Sequence, residues 1–134
     1  MKTSSVEYLG NLRTRSTHLR SGEKIITDAP IDNHGRGEAF SPTDLAATSL
    51  ANCMLTIMGI AANNHGINMD GARAEVMKIM KDNPRRIGQI IIDVHMPGNE
   101  YSAKEKAILE HAGRTCPVAK SLHPDLEQTI HFHW

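Results

Sequence analysis

The sequence SPTDLAATSLANCMLTIMGIAANNHG, residues 41–66, contains no charged residue after its fourth position. Ser41 can cap a helix here, Pro42 suits the first helical position, and Asp44 can accept hydrogen bonds from the free amides of the first turn. The closing residues 64–66, Asn-His-Gly, offer a left-handed stop. At about 1.5 Å per residue the helix would be roughly 34 Å long. Such a helix should cross most of a domain whose radius of gyration is roughly 14 Å.

Apolar side chains cover nearly the whole circumference of this predicted helix, and Cys53 lies in line with Leu50 and Ile57. A helix that is apolar on all sides is expected to be buried on all sides. The strands that the rest of the chain predicts would hardly enclose it, so the simplest arrangement is a homodimer whose partner subunit supplies the missing wall. The apolar positions are Leu45, Ala46, Ala47, Leu50, Ala51, Met54, Leu55, Ile57, Met58, Ile60 and Ala61.

Length and composition predict one soluble domain, residues 1–134. Lys plus Arg and Asp plus Glu number 15 each, so no basic surplus points to nucleic acid or to an anionic membrane. Polar residues dilute the long helix and make it a poor membrane span. Because residues 1–10 also lack an apolar signal core, a cytoplasmic location is expected.

The residues before the long helix predict a hairpin. Residues 5–17 are expected to form one strand, residues 20–23 a turn and residues 24–28 the return strand. The loop at 29–40 contains Pro, Asp, Asn and Gly, and it is too long for an idle connection in a compact domain. This loop is therefore a candidate to line a site.

The residues after the long helix predict a second hairpin. Residues 90–96 alternate between apolar and polar side chains, which is typical of a strand. Residues 69–81 fit either a helix or a strand, since helix propensity is good and apolar residues also recur at helical spacing. The turn at 82–86 leads directly into the clear strand, and this favours a strand at 69–81.

Two short helices and a final strand are expected in the last third of the chain. Ser102 and Glu105 form a capping box ahead of a helix that Gly113 would end. Cys116 would cap a further short helix that begins at Pro117. Residues 129–134 alternate as a strand, so the whole chain predicts an α+β fold in which helices pack on antiparallel sheets.

The two cysteines, Cys53 and Cys116, are widely separated in sequence and match neither a CxxC motif nor zinc spacing. Buried thiols, a redox pair and metal ligands all stay open from the residues alone. At a helix N-terminus, Cys116 would have a stabilised thiolate. Cys53, in an apolar helix, would need a cation from elsewhere to react as a thiolate. The candidate cations ahead of the helix are Arg13, Arg15, Arg20 and Arg36.

A pair of thiols of this kind fits the logic of peroxide reduction. One thiolate attacks the O–O bond and becomes a sulfenic acid, and the second thiol condenses with it to a disulfide. That condensation prevents irreversible overoxidation. An apolar pocket around the first sulfur would favour organic hydroperoxides over small hydrophilic ones.

Each cysteine stands in a distinct motif. The first is Ser41-Pro42-Thr43-Asp44-Leu45-Ala46-Ala47 leading to Ala51-Asn52-Cys53, and the second is Cys116-Pro117-Val118-Ala119-Lys120-Ser121-Leu122. With these motifs the sequence resembles the OsmC/Ohr family (osmotically inducible and organic hydroperoxide resistance proteins) along almost the whole chain. Either motif alone would be weak, but the two together and in this order are specific.

The resemblance implies an OsmC-like fold, with antiparallel sheets packed around a long central helix in an intertwined homodimer. It also implies thiol-dependent reduction of hydroperoxides, preferably organic ones. The peroxidatic cysteine maps to Cys53 and the resolving cysteine to Cys116, joined in a Cys53–Cys116 disulfide. Dithiols, typically lipoyl groups, would regenerate the reduced form. No metal and no bound organic cofactor are implied.

The family also uses an arginine of the N-terminal hairpin turn to hold the thiolate, and Arg20 matches it best because Arg20-Ser21-Gly22 resembles the family's Arg-x-Gly turn. A carboxylate orients that arginine. Thr43 stands where the Ohr branch has its glutamate, so Asp44 or Glu38 would have to serve. The residues leave open whether Asp44 is instead an ordinary helix-cap carboxylate.

Other interpretations of the same residues point to different classes of protein. One is a non-enzymatic protein that binds a lipid-like small molecule or senses redox state on the same dimeric scaffold. Another is a structural dimer with two inert, buried thiols. His131 and His133 face one side of the last strand and could bind a metal, although a solvated face is the preferred interpretation.

Overall fold

The computed structural model describes residues 1–134 and divides into two compact units, residues 1–46 and residues 47–134. The boundary between the units falls in the first turns of the long helix. A short 3-10 helix at Ile31–Asn33 lies in the loop before that helix. The regular elements are β1 (Ser4–Gly10), β2 (Arg13–His18), β3 (Lys24–Asp28), α1 (Pro42–Asn64), β4 (Arg73–Lys81), β5 (Arg86–His95), α2 (Ala103–Arg114), α3 (Pro117–Ser121) and β6 (Glu127–His133).

The N-terminal unit contains an antiparallel sheet of three strands in the order β1-β2-β3. The prediction of one strand over residues 5–17 was wrong, because a tight turn splits this stretch into β1 and β2. Gly10, Asn11 and Leu12 all have positive φ, at 83°, 54° and 62°. Turns that join paired strands favour this left-handed backbone, which Gly and Asn adopt most readily. The return strand at 24–28 is confirmed as β3.

The long helix is confirmed as α1, but in the single chain only one stripe of it is buried. The stripe follows helical spacing and comprises Ala47, Leu50, Ala51, Met54, Met58 and Ala62. On the other side Ile60 is 52% exposed, which agrees with the expectation that the strands of one chain do not enclose the helix. Burial of this side by a partner subunit stays a prediction. By length and composition alone α1 could cross a membrane, a test that the core helix of a soluble protein also passes.

The C-terminal unit contains a second three-stranded sheet in the order β4-β5-β6. The strand preferred for residues 69–81 is confirmed, since β4 pairs antiparallel with β5. The alternation of β5 is confirmed as well, because Ile90, Ile92 and Val94 are fully buried. The expectation of purely antiparallel sheets fails at one pair: β6 runs parallel to β5. Helices α2 and α3 form the crossover connection that a parallel pair requires.

Helix α2 begins with the predicted capping box, in which Ser102 and Glu105 satisfy each other's backbone amides. It does not end at Gly113 as predicted, but continues to Arg114. Gly113 serves instead as a point of close approach, because an added Cβ would lie 3.0 Å from the Met58 sulfur of α1. Helix α3 follows almost immediately, with Cys116 as its N-cap and Pro117 at its first position, as predicted.

Candidate active site

The fold brings Cys53 and Cys116 into contact within the C-terminal unit. Cys53 lies in the middle of α1 and Cys116 at the start of α3, and Cys53 is close enough to raise the pKa of the Cys116 thiol. Both cysteines are free thiols; Cys53 is half-buried and Cys116 is fully buried. The fold thus places near each other the two free thiols that a disulfide would join.

The environment of Cys116 favours the thiol over the thiolate. Burial raises the pKa of the Cys116 thiol, and the neighbouring Cys53 raises this pKa further. The backbone amides of Ala119 and Val118 lower this pKa, as expected at a helix N-terminus, but they do not outweigh burial. The prediction of a stabilised Cys116 thiolate was therefore wrong. Sequence motifs indicated that α3 starts at Cys116, but they did not indicate that this helix start is buried.

Close packing of α2 against α1 holds Cys116 near Cys53. Gly113, three residues before Cys116, faces both Met54 and Met58 of α1. The two methionines are fully buried, so a side chain at position 113 would have to displace them. Sequence reasoning missed this function of Gly113, and its only signal was a glycine inside a helical pattern.

Three of the residues predicted for the site, Arg20, Glu38 and Asp44, belong to the N-terminal unit. Glu38 pairs with Arg13 rather than with Arg20, at 3.1 Å between Oε2 and Nη2. Arg13 also binds Asp28 through two hydrogen bonds of 2.7 and 2.9 Å. Asp28 is 1% exposed, and its bond to the guanidinium holds the pKa of this carboxyl below its usual value.

Arg13 was only one of four candidate cations in the sequence, and its partnership with two carboxylates depends on long-range pairing of β2 with β3. Arg20 lies in the exposed turn between these strands. The structure therefore gives Arg13 the kind of carboxylate partner that was expected for Arg20.

Asp44 forms a capping box with Ser41 at the start of α1. Its Oδ2 accepts from the Ser41 amide at 3.0 Å, and the Ser41 hydroxyl accepts from the Asp44 amide at 3.0 Å. The Asp44 carboxylate thus caps the helix, which is the alternative to a catalytic function that the sequence leaves open. Thr43 lies beside this box, with its hydroxyl 3.2 Å from that of Ser41.

Imidazole and carboxylate groups alternate on the polar face of the C-terminal sheet. His133 contacts Asp93 at 2.8 Å and His95 contacts Glu75 at 2.9 Å. The rings of His95 and His133 stack, with centroids 4.7 Å apart. The bond with His133 lowers the pKa of Asp93. No group of three or more His, Cys, Asp or Glu side chains is arranged to hold a metal.

Comparison with known proteins adds a family and several similar structures. The family model for OsmC-like proteins matches residues 35–131. No curated protein matches the chain significantly. A crystal structure from Psychrobacter arcticus is 52% identical, covers 99% of this chain and 96% of its own, and superposes with a TM-score of 0.95. That protein is provisionally named an osmotic stress induced and detoxification response protein.

More distant structures share the fold at low identity. The organic hydroperoxide resistance protein OsmC of Legionella pneumophila is 15% identical, with a TM-score of 0.78 and coverage of 100% of this chain and 98% of its own. The organic hydroperoxide resistance protein OhrB of Bacillus subtilis is 18% identical, with a TM-score of 0.71 and coverage of 98% of both chains. At these identities the likeness establishes a common α+β fold with two sheets and a long helix.

Proposed function

The chain belongs to the OsmC family, and from that premise we propose that it is a thiol-dependent peroxidase that reduces organic hydroperoxides. The observation that carries this proposal is the proximity of Cys53 and Cys116, which are far apart in sequence but pack in the same core, where Cys53 raises the pKa of the Cys116 thiol. The structures of hydroperoxide resistance proteins with the same fold add support.

The proposed reaction has two steps. In the first, the Cys53 thiolate attacks the terminal oxygen of the hydroperoxide, the O–O bond breaks, and the alkoxide leaves and takes up a proton as an alcohol. In the second, the Cys116 sulfur attacks the Cys53 sulfenic acid; the S–O bond breaks, a disulfide forms, and the hydroxyl leaves with the Cys116 proton as water. The high pKa of Cys116 keeps that proton on the sulfur until the second step.

Three features of this proposal remain predictions from the sequence: the homodimer, a dithiol reductant of the lipoyl type, and a cytoplasmic location. Arg20 stays the proposed partner of the Cys53 thiolate. Arg13 is its main rival, because it already carries Asp28 and Glu38 as orienting carboxylates. To orient Arg20, the acids proposed from the sequence would have to leave their present partners: Asp44 binds Ser41 and Glu38 binds Arg13.

The peroxidase proposal is tested by adding one equivalent of cumene hydroperoxide to the reduced protein. We expect an intramolecular Cys53–Cys116 disulfide, seen by mass spectrometry as the loss of two hydrogens and as one linked peptide pair. Cys53→Ser should abolish the reaction, while Cys116→Ser should stop at the sulfenic acid. A spectrum in which both thiols of the wild-type protein stay reduced contradicts the proposal and favours a binding or structural protein.

A further inference from the structure

Helix α3, which carries Cys116 at its N-cap, depends on contacts with the rest of the C-terminal unit for its position. It has five residues, fewer than a helix needs to be stable on its own. Val118, Ala119 and Leu122 are only partly buried where they pack against the core. The helix therefore needs a further constraint if its first residue is to be held against α1.

The side chain of Gln128 in β6 supplies such a constraint. Its Nε2 donates to the carbonyl oxygen of Ala119 in α3 at 2.9 Å. Gln128 pairs in register with Ile90 of β5, which is fully buried, so both belong to the core-facing side of the sheet. This bond ties α3 to a three-stranded sheet.

The same residue of α3 also faces the sulfur of Cys116. The carbonyl of Ala119 binds Gln128, and the amide of Ala119 lies close enough to Cys116 to lower the pKa of its thiol. Gln128 is thus linked through one residue to the sulfur that contacts Cys53. A loss of the tether would let Cys116 spend less time against Cys53.

We propose that Gln128 is a positioning residue that holds Cys116 against Cys53 and thereby decides how often an oxidised Cys53 is captured as a disulfide. The inference rests on the proposed peroxidase function and concerns its second step. The capture competes with a second hydroperoxide molecule, which would transfer one oxygen to the Cys53 sulfenic acid, giving a sulfinic acid and an alcohol. Gln128 therefore protects the enzyme against irreversible inactivation by its own substrate.

The test compares Gln128→Glu and Gln128→Met with the wild-type protein. Both variants remove the N–H donor at similar side-chain length, and Met does so without adding a charge. The first readout is the equilibrium between dithiol and disulfide in glutathione redox buffers, which gives the effective concentration of one thiol towards the other. We expect both variants to lower it about three- to tenfold, the usual worth of one hydrogen bond.

The matched control is Gln89→Glu. Gln89 of β5 donates its Nε2 to the Thr129 hydroxyl at 2.8 Å, a bond in the same sheet but on the face opposite that of Ile90 and Gln128. This variant should leave the effective concentration at the wild-type value. An equal drop in Gln89→Glu would show that the effect is a general loosening of the sheet and would overturn the inference.

The second readout is the mass spectrum after excess cumene hydroperoxide. Gln128→Glu and Gln128→Met should convert a larger fraction of Cys53 to sulfinic acid than the wild type does. Wild-type values of both readouts in the two variants would overturn the inference. Should Cys53 of the wild type fail to react with the hydroperoxide, the peroxidase proposal fails; the redox-buffer equilibrium still tests the function of Gln128 independently.

Discussion

At the scale of single residues, the unexpected finding is the set of contacts around Arg13. The sequence predicts that a cation ahead of α1 stabilises the Cys53 thiolate, and the Arg-x-Gly turn motif favours Arg20. The structure gives the exposed Arg20 no ion pair, whereas Arg13 binds a buried aspartate and a glutamate. Substitution of the two arginines is therefore expected to change different properties, the reaction rate for Arg20 and the thermal stability for Arg13.

Arg20→Ala should slow the loss of the Cys53 thiol with cumene hydroperoxide about tenfold or more, because an unpaired thiolate is harder to form. It should leave the Tm unchanged, since Arg20 is exposed. Arg13→Ala should lower the Tm, because it leaves the buried Asp28 carboxylate without its partner. Stopped-flow thiol titration and thermal unfolding separate the two effects. A fall in rate without a fall in Tm for Arg13→Ala would assign the thiolate partner to Arg13.

Among the helices and strands, features that depend on neighbouring residues were predictable from the sequence. The capping box at Ser102, the proline after Cys116 and the alternation of β5 all act within a few residues, and each prediction is confirmed. The parallel pairing of β6 and the position of Gly113 against Met58 depend on contacts between distant parts of the chain. No periodicity or turn motif reports such contacts.

The same limit applies to the candidate site. The family motifs pointed to Cys53 and Cys116, and the fold brings these two into contact. They could not reveal that Cys116 is buried deeply enough to raise its pKa, because burial depends on how α2 and α3 pack on α1. Nor could they reveal the partners of Arg13, which the register of β2 and β3 determines.

Gly113→Ala should destabilise the protein by about 1 kcal/mol, because the cost of overpacking a core, about 1–3 kcal/mol, exceeds the gain of up to about 1 kcal/mol from replacing a helical glycine by alanine. The added methyl would lie 3.0 Å from the Met58 sulfur and 3.5 Å from the Met54 methyl. The control is Gly98→Ala, where an added Cβ meets nothing within 4 Å; it should stay within about 0.5 kcal/mol of the wild type. Urea unfolding measures both, and equal stabilities would contradict a close approach of α2 to α1.

At the scale of the whole molecule, the open side of α1 is the feature that calls for a partner. Ile60 is 52% exposed, and the buried stripe lies on another side of the helix. We expect a homodimer of twice the chain mass of 14.8 kDa in light-scattering measurements. Ile60→Glu should shift the protein to the monomer, because a buried unpaired charge is costly at an apolar interface. A wild-type protein that stays monomeric at high concentration would contradict this prediction.

The unequal exposure of the two sulfurs has a consequence for the return to the reduced state. Cys116 has no accessible surface, whereas Cys53 is half-buried. An incoming dithiol can therefore approach a disulfide between them only from the α1 side. Regeneration would pass through a mixed disulfide on Cys53, with Cys116 as the departing group. That sulfur would leave as a thiolate in a setting that disfavours its charge, which makes its reprotonation part of the turnover.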